Sequence, residues 1–131
     1  MLISIDHHNG IPVFRQIIDQ VKFHVVSGLL APGDELPSTR ALSGQLGLNP
    51  MTVSKAYSLL EAEGLVERRR GRPLTIKPLQ DQIVHAEKLE QLKPQLTQLA
   101  TMVRQLGVDR AEVVDLFISI LDTLEEDNHD T

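Results

Sequence analysis

Two short helical patterns follow Ser38, and only Gly47, Leu48 and Asn49 lie between the end of the first and the start of the second. Three residues leave room only for a sharp turn. Ser38 suits the position before a helix, because its hydroxyl accepts a hydrogen bond from a backbone N–H of the first turn. That helix is predicted to extend to about Leu46, and Gly47 ends it. Asn49 is a good cap for the next helix, and Pro50 suits its first position because φ is already helical and no N–H is needed there. The sequence therefore predicts a helix-turn-helix.

Helical and extended patterns flank this motif. Apolar residues recur at helical spacing in "IPVFRQIIDQVKFHVVSGLL", which predicts a first helix that ends at Gly28. The segment "LAPGDELP" is predicted to be a loop, because Pro32, Gly33 and Asp34 form a turn signal. After the motif, "LVERR" and "PLTIK" are typical of two short strands joined in a hairpin.

The second helix of the motif has a polar and an apolar side. In a helix-turn-helix this helix enters the major groove with its N-terminal residues toward the bases. Val53, Ala56 and Leu60 share the side that is expected to face the core. The opposite side carries hydrogen-bonding groups and one cation, and its candidate DNA contacts are Asn49, Thr52, Ser54 and Lys55. Asn49 serves first as a helix cap. Thr52 and Ser54 also fit the alternative of exposed polar residues with no role in binding.

Four arginines surround one glycine at the predicted hairpin tip. Arg70, Gly71 and Arg72 form the tip, and Arg68 and Arg69 precede it. Arginine is attracted to phosphate and to a narrow minor groove, and glycine lets the tip approach a DNA backbone closely. An arginine run by itself is more often a solvated turn, but directly after a helix-turn-helix it favours a DNA-binding wing.

The formal net charge of -5 hides an uneven distribution. Residues 1–78 carry nine Lys/Arg and seven Asp/Glu, whereas residues 79–131 carry four and eleven. A polyanion attracts the first part and repels the second. The two parts are therefore expected to have different roles.

From about Leu79 the pattern changes to long helices. Leucines and valines alternate spacings of three and four up to Gly107, which is typical of a narrow helix-packing stripe. Pro94 interrupts neither the stripe nor its phase, so it predicts a kink and not a break. A last helix, predicted to end near Glu125, is apolar around most of its surface. A second copy of the chain is expected to cover this surface, through Leu96, Leu99, Val103, Phe117, Ile120, Leu121 and Leu124.

Composition excludes several other classes of protein. The chain has no cysteine, so a disulfide framework and a thiolate metal site are excluded. Its five histidines show no ligand spacing, so no metal and no cofactor are expected: His7 and His8 lie in a start predicted to be unstructured, and the others are His24, His85 and His129. No apolar run approaches the roughly 18 residues that span a bilayer, so a cytoplasmic protein without membrane contact is expected. No acid–base pair, nucleophile or phosphate loop indicates an enzyme.

The segments "PVFRQI" and "SGLLAPGDELPSTRALSGQLGLNPMTVSKAYSLLEAEGLVERRRG" resemble the winged-helix domain of GntR-type transcription regulators over about residues 11–76. The "NPMTVSKAY" segment and the short helical tail resemble the YtrA subfamily. The resemblance implies a homodimeric regulator, usually a repressor, that binds operator DNA and often controls genes of ABC-type transporters. It implies DNA contacts in the family's "PS-x-R" element, on the recognition helix and at the wing tip, namely Ser38, Arg40, Asn49, Thr52, Ser54, Lys55, Arg70, Gly71 and Arg72.

The chain departs from the family pattern at two places. Many relatives have a basic residue where Pro50 stands, which implies the loss of a base contact. The family's usual Gly-Thr-Phe after the wing tip is Pro73-Leu74-Thr75 in this chain, which implies a different wing geometry.

Together these features predict a mostly α protein with a small β-hairpin. A winged helix-turn-helix for binding double-stranded DNA spans residues 1–78, and a two-helix dimerisation tail spans residues 79–131. The expected function is that of a sequence-specific transcription regulator acting on an inverted-repeat operator. The alternative is a winged-helix module that binds protein and not DNA. The sequence identifies no small-molecule effector.

Overall fold

The helix-turn-helix and the hairpin predicted from the sequence are both present in the computed structural model, which describes residues 2–129. In chain order, five helices and two strands are α1 (Val13–Val26), α2 (Thr39–Leu46), α3 (Pro50–Ala62), β1 (Val66–Glu67), β2 (Thr75–Ile76), α4 (Asp81–Leu106) and α5 (Arg110–His129). The predicted class, mostly α with one small hairpin and a two-helix tail, is confirmed.

The helix ends follow the local signals in the sequence. Ser38 Oγ accepts a hydrogen bond from Ala41 N at 3.0 Å, which caps α2. Gly47 ends α2 in the left-handed conformation, with φ +66°, which a glycine adopts without strain. Asn49 Oδ1 accepts from Met51 N at 2.9 Å, which caps α3, and Pro50 takes the first helical position. The sharp turn is therefore held by local bonds between residues two to five apart, which include the one from Leu48 N to Ser43 O at 2.9 Å.

The core of the N-terminal part lies where α1, α2, α3 and the hairpin meet. The recognition helix α3 contributes Val53, Ala56 and Leu60, which are fully buried as predicted. Helix α1 buries Ile17, Ile18 and Val21 against it, and the other buried apolar residues include Leu36, Leu42, Leu65, Val66, Leu74 and Ile76. This packing fixes the orientation of α3 and the base of the hairpin.

The strands of the hairpin are shorter than predicted, and a preceding segment of chain runs beside the hairpin. Strands β1 and β2 have two residues each and pair antiparallel, with Val66 opposite Ile76. Residues 33–36, predicted to be a loop, run beside β2: Gly33 N donates to Ile76 O at 2.8 Å and Leu36 N donates to Leu74 O at 2.8 Å. The segment is the predicted loop, with its turn at Pro32 and Gly33, and the bridge between Glu35 and Thr75 is an addition that the sequence did not predict.

Residues 2–6 are attached to α1 by a ladder of side chains, although the sequence predicted an unstructured start. Gln16, Gln20 and His24 lie one turn apart on α1 and bond the backbone of alternate residues from 6 back to 2. Each glutamine amide both donates to a carbonyl and accepts from an N–H, at 2.7–2.9 Å. The extended start is therefore paired with a helix instead of with a strand.

The tail consists of the two predicted helices. Helix α4 continues through Pro94 as one helix, as predicted, and Gly107 follows it with φ +68°. Helix α5 continues past the predicted end near Glu125. The chain divides into two compact units inside α4, one up to Gln91 and one from Leu92 onward.

Candidate nucleic-acid interface

The N-terminal half of α3 presents a polar surface. Ser54 and Lys55 are exposed, and Thr52 is half-buried. Asn49 is exposed, but its carboxamide oxygen is already bonded to Met51 N as a cap. Met51, three-quarters exposed, adds an apolar group at the same end of the helix. A duplex at this surface would therefore meet the polar side chains of Thr52 and Ser54, one cation and one exposed apolar group.

Lys55 is held above an aromatic ring. Its ammonium Nζ lies 4.0 Å from the centroid of the Phe14 ring on α1, and the guanidinium carbon of Arg15 lies 5.7 Å from the same centroid. A cation over an aromatic face is attracted by the negative potential of the ring. Phe14 itself packs against the core, so the position of the Lys55 charge is tied to the α1–α3 packing. Sequence spacing between residues 14 and 55 carried no sign of this contact.

The start of α2 and the wing tip line one cleft of about 550 Å³. Ser38 and Thr39 line it on the α2 side, and Arg70, Gly71 and Arg72 line it on the wing side. Four of the nine predicted DNA contacts are thus brought together, across more than thirty residues of sequence. Thr39 was not predicted, although it is the first residue of α2 and follows the capping serine.

The four arginines of the wing do not have the same surroundings. Arg68 Nε lies 3.4 Å from a carboxylate oxygen of Glu61, and a guanidinium nitrogen of Arg69 lies 3.4 Å from one of Glu67. Arg70 and Arg72 form no ion pair with any residue from 2 to 129. The two arginines at the tip therefore keep an uncompensated charge in the exposed loop.

Gly71 joins the two unpaired arginines. Its φ is +72°, a backbone conformation that residues with a side chain rarely adopt. An added Cβ would meet open space, so the requirement for glycine comes from the backbone and not from crowding. The tight turn at the tip is closed by a bond from Arg72 N to Arg69 O at 3.0 Å.

Arg40 lies apart from the cleft. It is exposed on the first turn of α2, and its backbone carbonyl accepts a hydrogen bond from Ser43 Oγ at 3.0 Å. It does not line the cleft, and neither do the candidate residues of α3. The predicted contacts therefore lie at three places on the N-terminal unit, namely the cleft beside the wing, the exposed start of the recognition helix and Arg40 on α2.

Tyr57 connects α3 to the segment before α2 and was missed from the sequence. Its side chain is buried on α3, and its hydroxyl donates to Pro37 O at 2.7 Å. Burial raises the pKa of the Tyr57 phenol to about 12. The ring also lines the wing cleft. The signal that was available is the position of the chain's one tyrosine on the core side of α3, because a buried tyrosine needs a partner for its hydroxyl.

The residues predicted to form the dimer interface are exposed or half-buried in the single chain. Leu96, Leu99 and Phe117 line a cleft of about 420 Å³ between α4 and α5, and Val103 in the same cleft is half-buried. Phe117 is 43% exposed, and Ile120, Leu121 and Leu124 are at least as exposed. No side chain from Leu92 to Asn128 is buried. The structure thus places all seven residues on accessible faces of the C-terminal unit.

Other kinds of site find no support in the described residues. No group of three or more His, Asp or Glu side chains in residues 2–129 lies close enough to hold a metal ion, and the side chain of His129 lies outside the described part. None of the described helices combines the length and the apolar character needed to cross a bilayer.

Comparison with known proteins places the chain in a family. Bacterial regulatory proteins of the gntR family match residues 14–76. The HTH-type transcriptional repressor YtrA of Bacillus subtilis (strain 168) is 40% identical over 108 residues, which cover 82% of this chain and 83% of that protein.

Solved structures of regulators show the same fold. YtrA from Sulfolobus acidocaldarius, a GntR-family transcription factor, is 32% identical with a TM-score of 0.58, and the match covers 82% of this chain and 99% of that one. A transcriptional regulator from Oenococcus oeni is 29% identical with a TM-score of 0.69, over 92% and 97% of the two chains. These relatives are transcription regulators and not enzymes. The chain therefore belongs to the gntR family of bacterial regulatory proteins and, within it, to the YtrA subfamily.

Proposed function

We propose that the chain is a repressor that binds an inverted-repeat operator in double-stranded DNA as a homodimer. The observation that carries the proposal is the pair of unpaired arginines at the wing tip, Arg70 and Arg72, which line one cleft with the start of α2. Uncompensated guanidinium groups on an exposed loop suit phosphate oxygens, and such contacts supply a large share of the affinity in protein–DNA complexes. The repressor role is supported by the similarity to the transcriptional repressor YtrA of Bacillus subtilis.

In this proposal the two parts of the chain have separate tasks. Residues 1–78 bind DNA, and residues 79–131 dimerise. The exposed apolar surface of α4 and α5 supports dimerisation, because a second copy would remove it from water. The resemblance to the family further suggests that the regulated genes encode an ABC-type transporter.

Individual residues are assigned roles by their exposure and chemistry. Arg40, Lys55, Arg70 and Arg72 neutralise phosphates, since all four are exposed cations. Thr52 and Ser54 contact base edges, with Asn49 beside them at the cap. Ser38 and Gly71 allow close approach of the DNA backbone.

The symmetry of a homodimer defines the expected operator. Two identical recognition helices require two half-sites of opposite orientation, with centres about 10 base pairs or a multiple apart. Each α3 offers roughly one turn of side chains, so each half-site is expected to span about three to five base pairs. Footprinting on DNA upstream of the protein's own gene tests this, and a protected region without dyad symmetry would contradict it.

Binding affinity measured at several salt concentrations separates contacts to phosphate from contacts to bases. Arg70→Ala should weaken binding to every duplex and flatten the slope of log affinity against log salt by about one unit. Arg68→Ala is the matched control and should change the slope less, because Glu61 already pairs with Arg68.

Thr52→Ala and Ser54→Ala should instead change the preferred sequence, at a cost of about 1–3 kcal/mol per lost contact. The proposed division fails if the wing variant alters sequence preference and the α3 variants do not. Absence of binding to any duplex at low salt would support the protein-binding module instead.

A further inference from the structure

A second cation shares the aromatic ring that holds Lys55. Arg15, in the first turn of α1, has its guanidinium carbon 5.7 Å from the centroid of the Phe14 ring, and Lys55 Nζ on α3 lies 4.0 Å from the same centroid. Forty residues of sequence separate the two cations, so only the packing of α1 against α3 brings them together. Neither helical spacing nor the family resemblance gives Arg15 a role in binding.

No acidic side chain neutralises either cation at close range. Arg15 and Lys55 form no ion pair with any residue from 2 to 129. The first turn of α1 contains no acidic residue, and Asp19, one turn further along, interacts electrostatically with Arg15 but forms no ion pair with it. The attraction of the ring for both cations holds two like charges together. The result is a local excess of positive charge on a chain whose net charge is negative.

This excess of charge lies at the edge of the polar surface of α3. Ser54 and Lys55 are exposed on that surface, and Arg15 is half-buried. Half burial suits an arginine whose stem packs on the protein while its guanidinium stays in water. A recognition helix in the major groove has a phosphate backbone on either side of it, so a cation on the flank of that helix meets phosphates and not base edges.

We propose that Arg15 is a further DNA contact, and that its guanidinium and the Lys55 ammonium bind neighbouring phosphates on one strand, with the Phe14 ring keeping the two charges together. The inference rests on the proposed operator binding and adds α1 to the elements that touch DNA. One strand carries a phosphate about every 3.4 Å of helix axis, so cations less than about 10 Å apart meet phosphates within about three nucleotides of each other.

The dependence of binding on salt tests whether Arg15 neutralises a phosphate. Arg15→Gln should weaken binding to every duplex and flatten the slope of log affinity against log salt about as much as Arg70→Ala does. Arg15→Lys keeps the charge and should keep the slope. Lys22→Gln is the matched control on the same helix, and it should leave the slope unchanged because Lys22 Nζ already lies 2.8 Å from a carboxylate oxygen of Glu63.

Neutral phosphates locate the contact on the operator. Duplexes of the footprinted operator, each with one phosphate replaced by an uncharged methylphosphonate, show which phosphates the natural chain needs. Arg15→Gln should become insensitive to replacement at one phosphate of each half-site. Lys55→Gln should become insensitive at another, within about three nucleotides on the same strand. Arg70→Ala should lose its sensitivity at a phosphate outside this group.

The outcomes separate this inference from the proposed function. A natural chain that binds no duplex overturns both. If binding depends on Arg70, but Arg15→Gln keeps the natural slope and the natural set of sensitive phosphates, the Arg15 contact alone is overturned. Sensitive phosphates for Arg15 and Lys55 on different strands would also overturn it. Both measurements compare affinities within one preparation, so a smaller folded fraction of a variant does not change their result.

Discussion

The unit up to Gln91 and the unit from Leu92 use similar residues in opposite ways. All buried apolar side chains of the described residues lie in the first unit, whereas residues 92–128 bury none. In the first unit the apolar residues of α1 and α3 occupy one side of each helix, so the two sides close on each other. In α5 they cover most of the circumference. Apolar content alone therefore does not produce a core, and the second unit is expected to complete its packing only with another chain.

The largest effect is expected from a charge on the open face of α5. Leu121→Asp removes an apolar group from both halves of the proposed dimer and places a carboxylate there. Burial of a large aliphatic side chain contributes roughly 1.5–3 kcal/mol, so the two copies together weaken dimerisation by about 3–6 kcal/mol. Sedimentation at micromolar concentration should show monomers. Ser119→Asp adds the same charge on the polar side and should stay dimeric, and a dimeric Leu121→Asp variant would break the comparison.

A cavity in the core of the first unit should lower the free energy of unfolding by the same amount whether or not the chain dimerises. Leu60 is fully buried on α3. Leu60→Ala should lower the free energy of unfolding by about 2–5 kcal/mol, through lost burial and the cavity left behind. Urea titration at two protein concentrations should give the same loss. Leu29→Ala, on an exposed residue of the same unit, should change it by less than about 0.5 kcal/mol.

Alkaline pH should destabilise the first unit through Tyr57. Because burial raises the pKa of its phenol to about 12, the folded chain keeps a proton that the unfolded chain loses above its ordinary pKa of 10.0. The contribution of this group to stability is complete below pH 10 and falls as pH rises toward 12, by about 2–3 kcal/mol in total. Urea titrations across this range measure the loss.

Tyr57→Phe is the control, since it has no titrating phenol. It should be about 1 kcal/mol less stable at neutral pH, because Pro37 O loses its bond, but should fall less between pH 10 and 12. The chain has one tyrosine and no tryptophan, so the ultraviolet absorbance of tyrosinate reports its ionisation directly. Ionisation near pH 10 in the folded chain would contradict the burial.

The smallest effect is expected at the ring beneath Lys55. Phe14→Leu keeps most of the packing volume but removes the aromatic face that holds the ammonium. Loss of a cation–π contact at an exposed site should weaken operator binding by about two- to fivefold. The salt slope should stay unchanged, because the charge is still present. Lys55→Ala is the comparison and should lower both the affinity and the slope, so an equal loss of slope in Phe14→Leu would refute a positioning role.

The sequence by itself determined the elements whose ends depend on neighbouring residues. The caps at Ser38 and Asn49 and the end of α2 at Gly47 each use bonds within one turn, and residue type is enough to predict such bonds. The polar and apolar sides of α3 were equally predictable, because helical geometry assigns each position a direction. The arginine cluster at the wing tip was visible as a pattern of charge.

Only the tertiary structure decided which groups meet across long stretches of chain. It paired residues 33–36 with β2, placed Lys55 over Phe14, and separated the paired Arg68 from the unpaired Arg70. It also seated the Tyr57 hydroxyl on Pro37 O. These contacts depend on how the packed helices orient distant backbone and side-chain atoms within about 3–4 Å of each other, and no local spacing encodes that orientation.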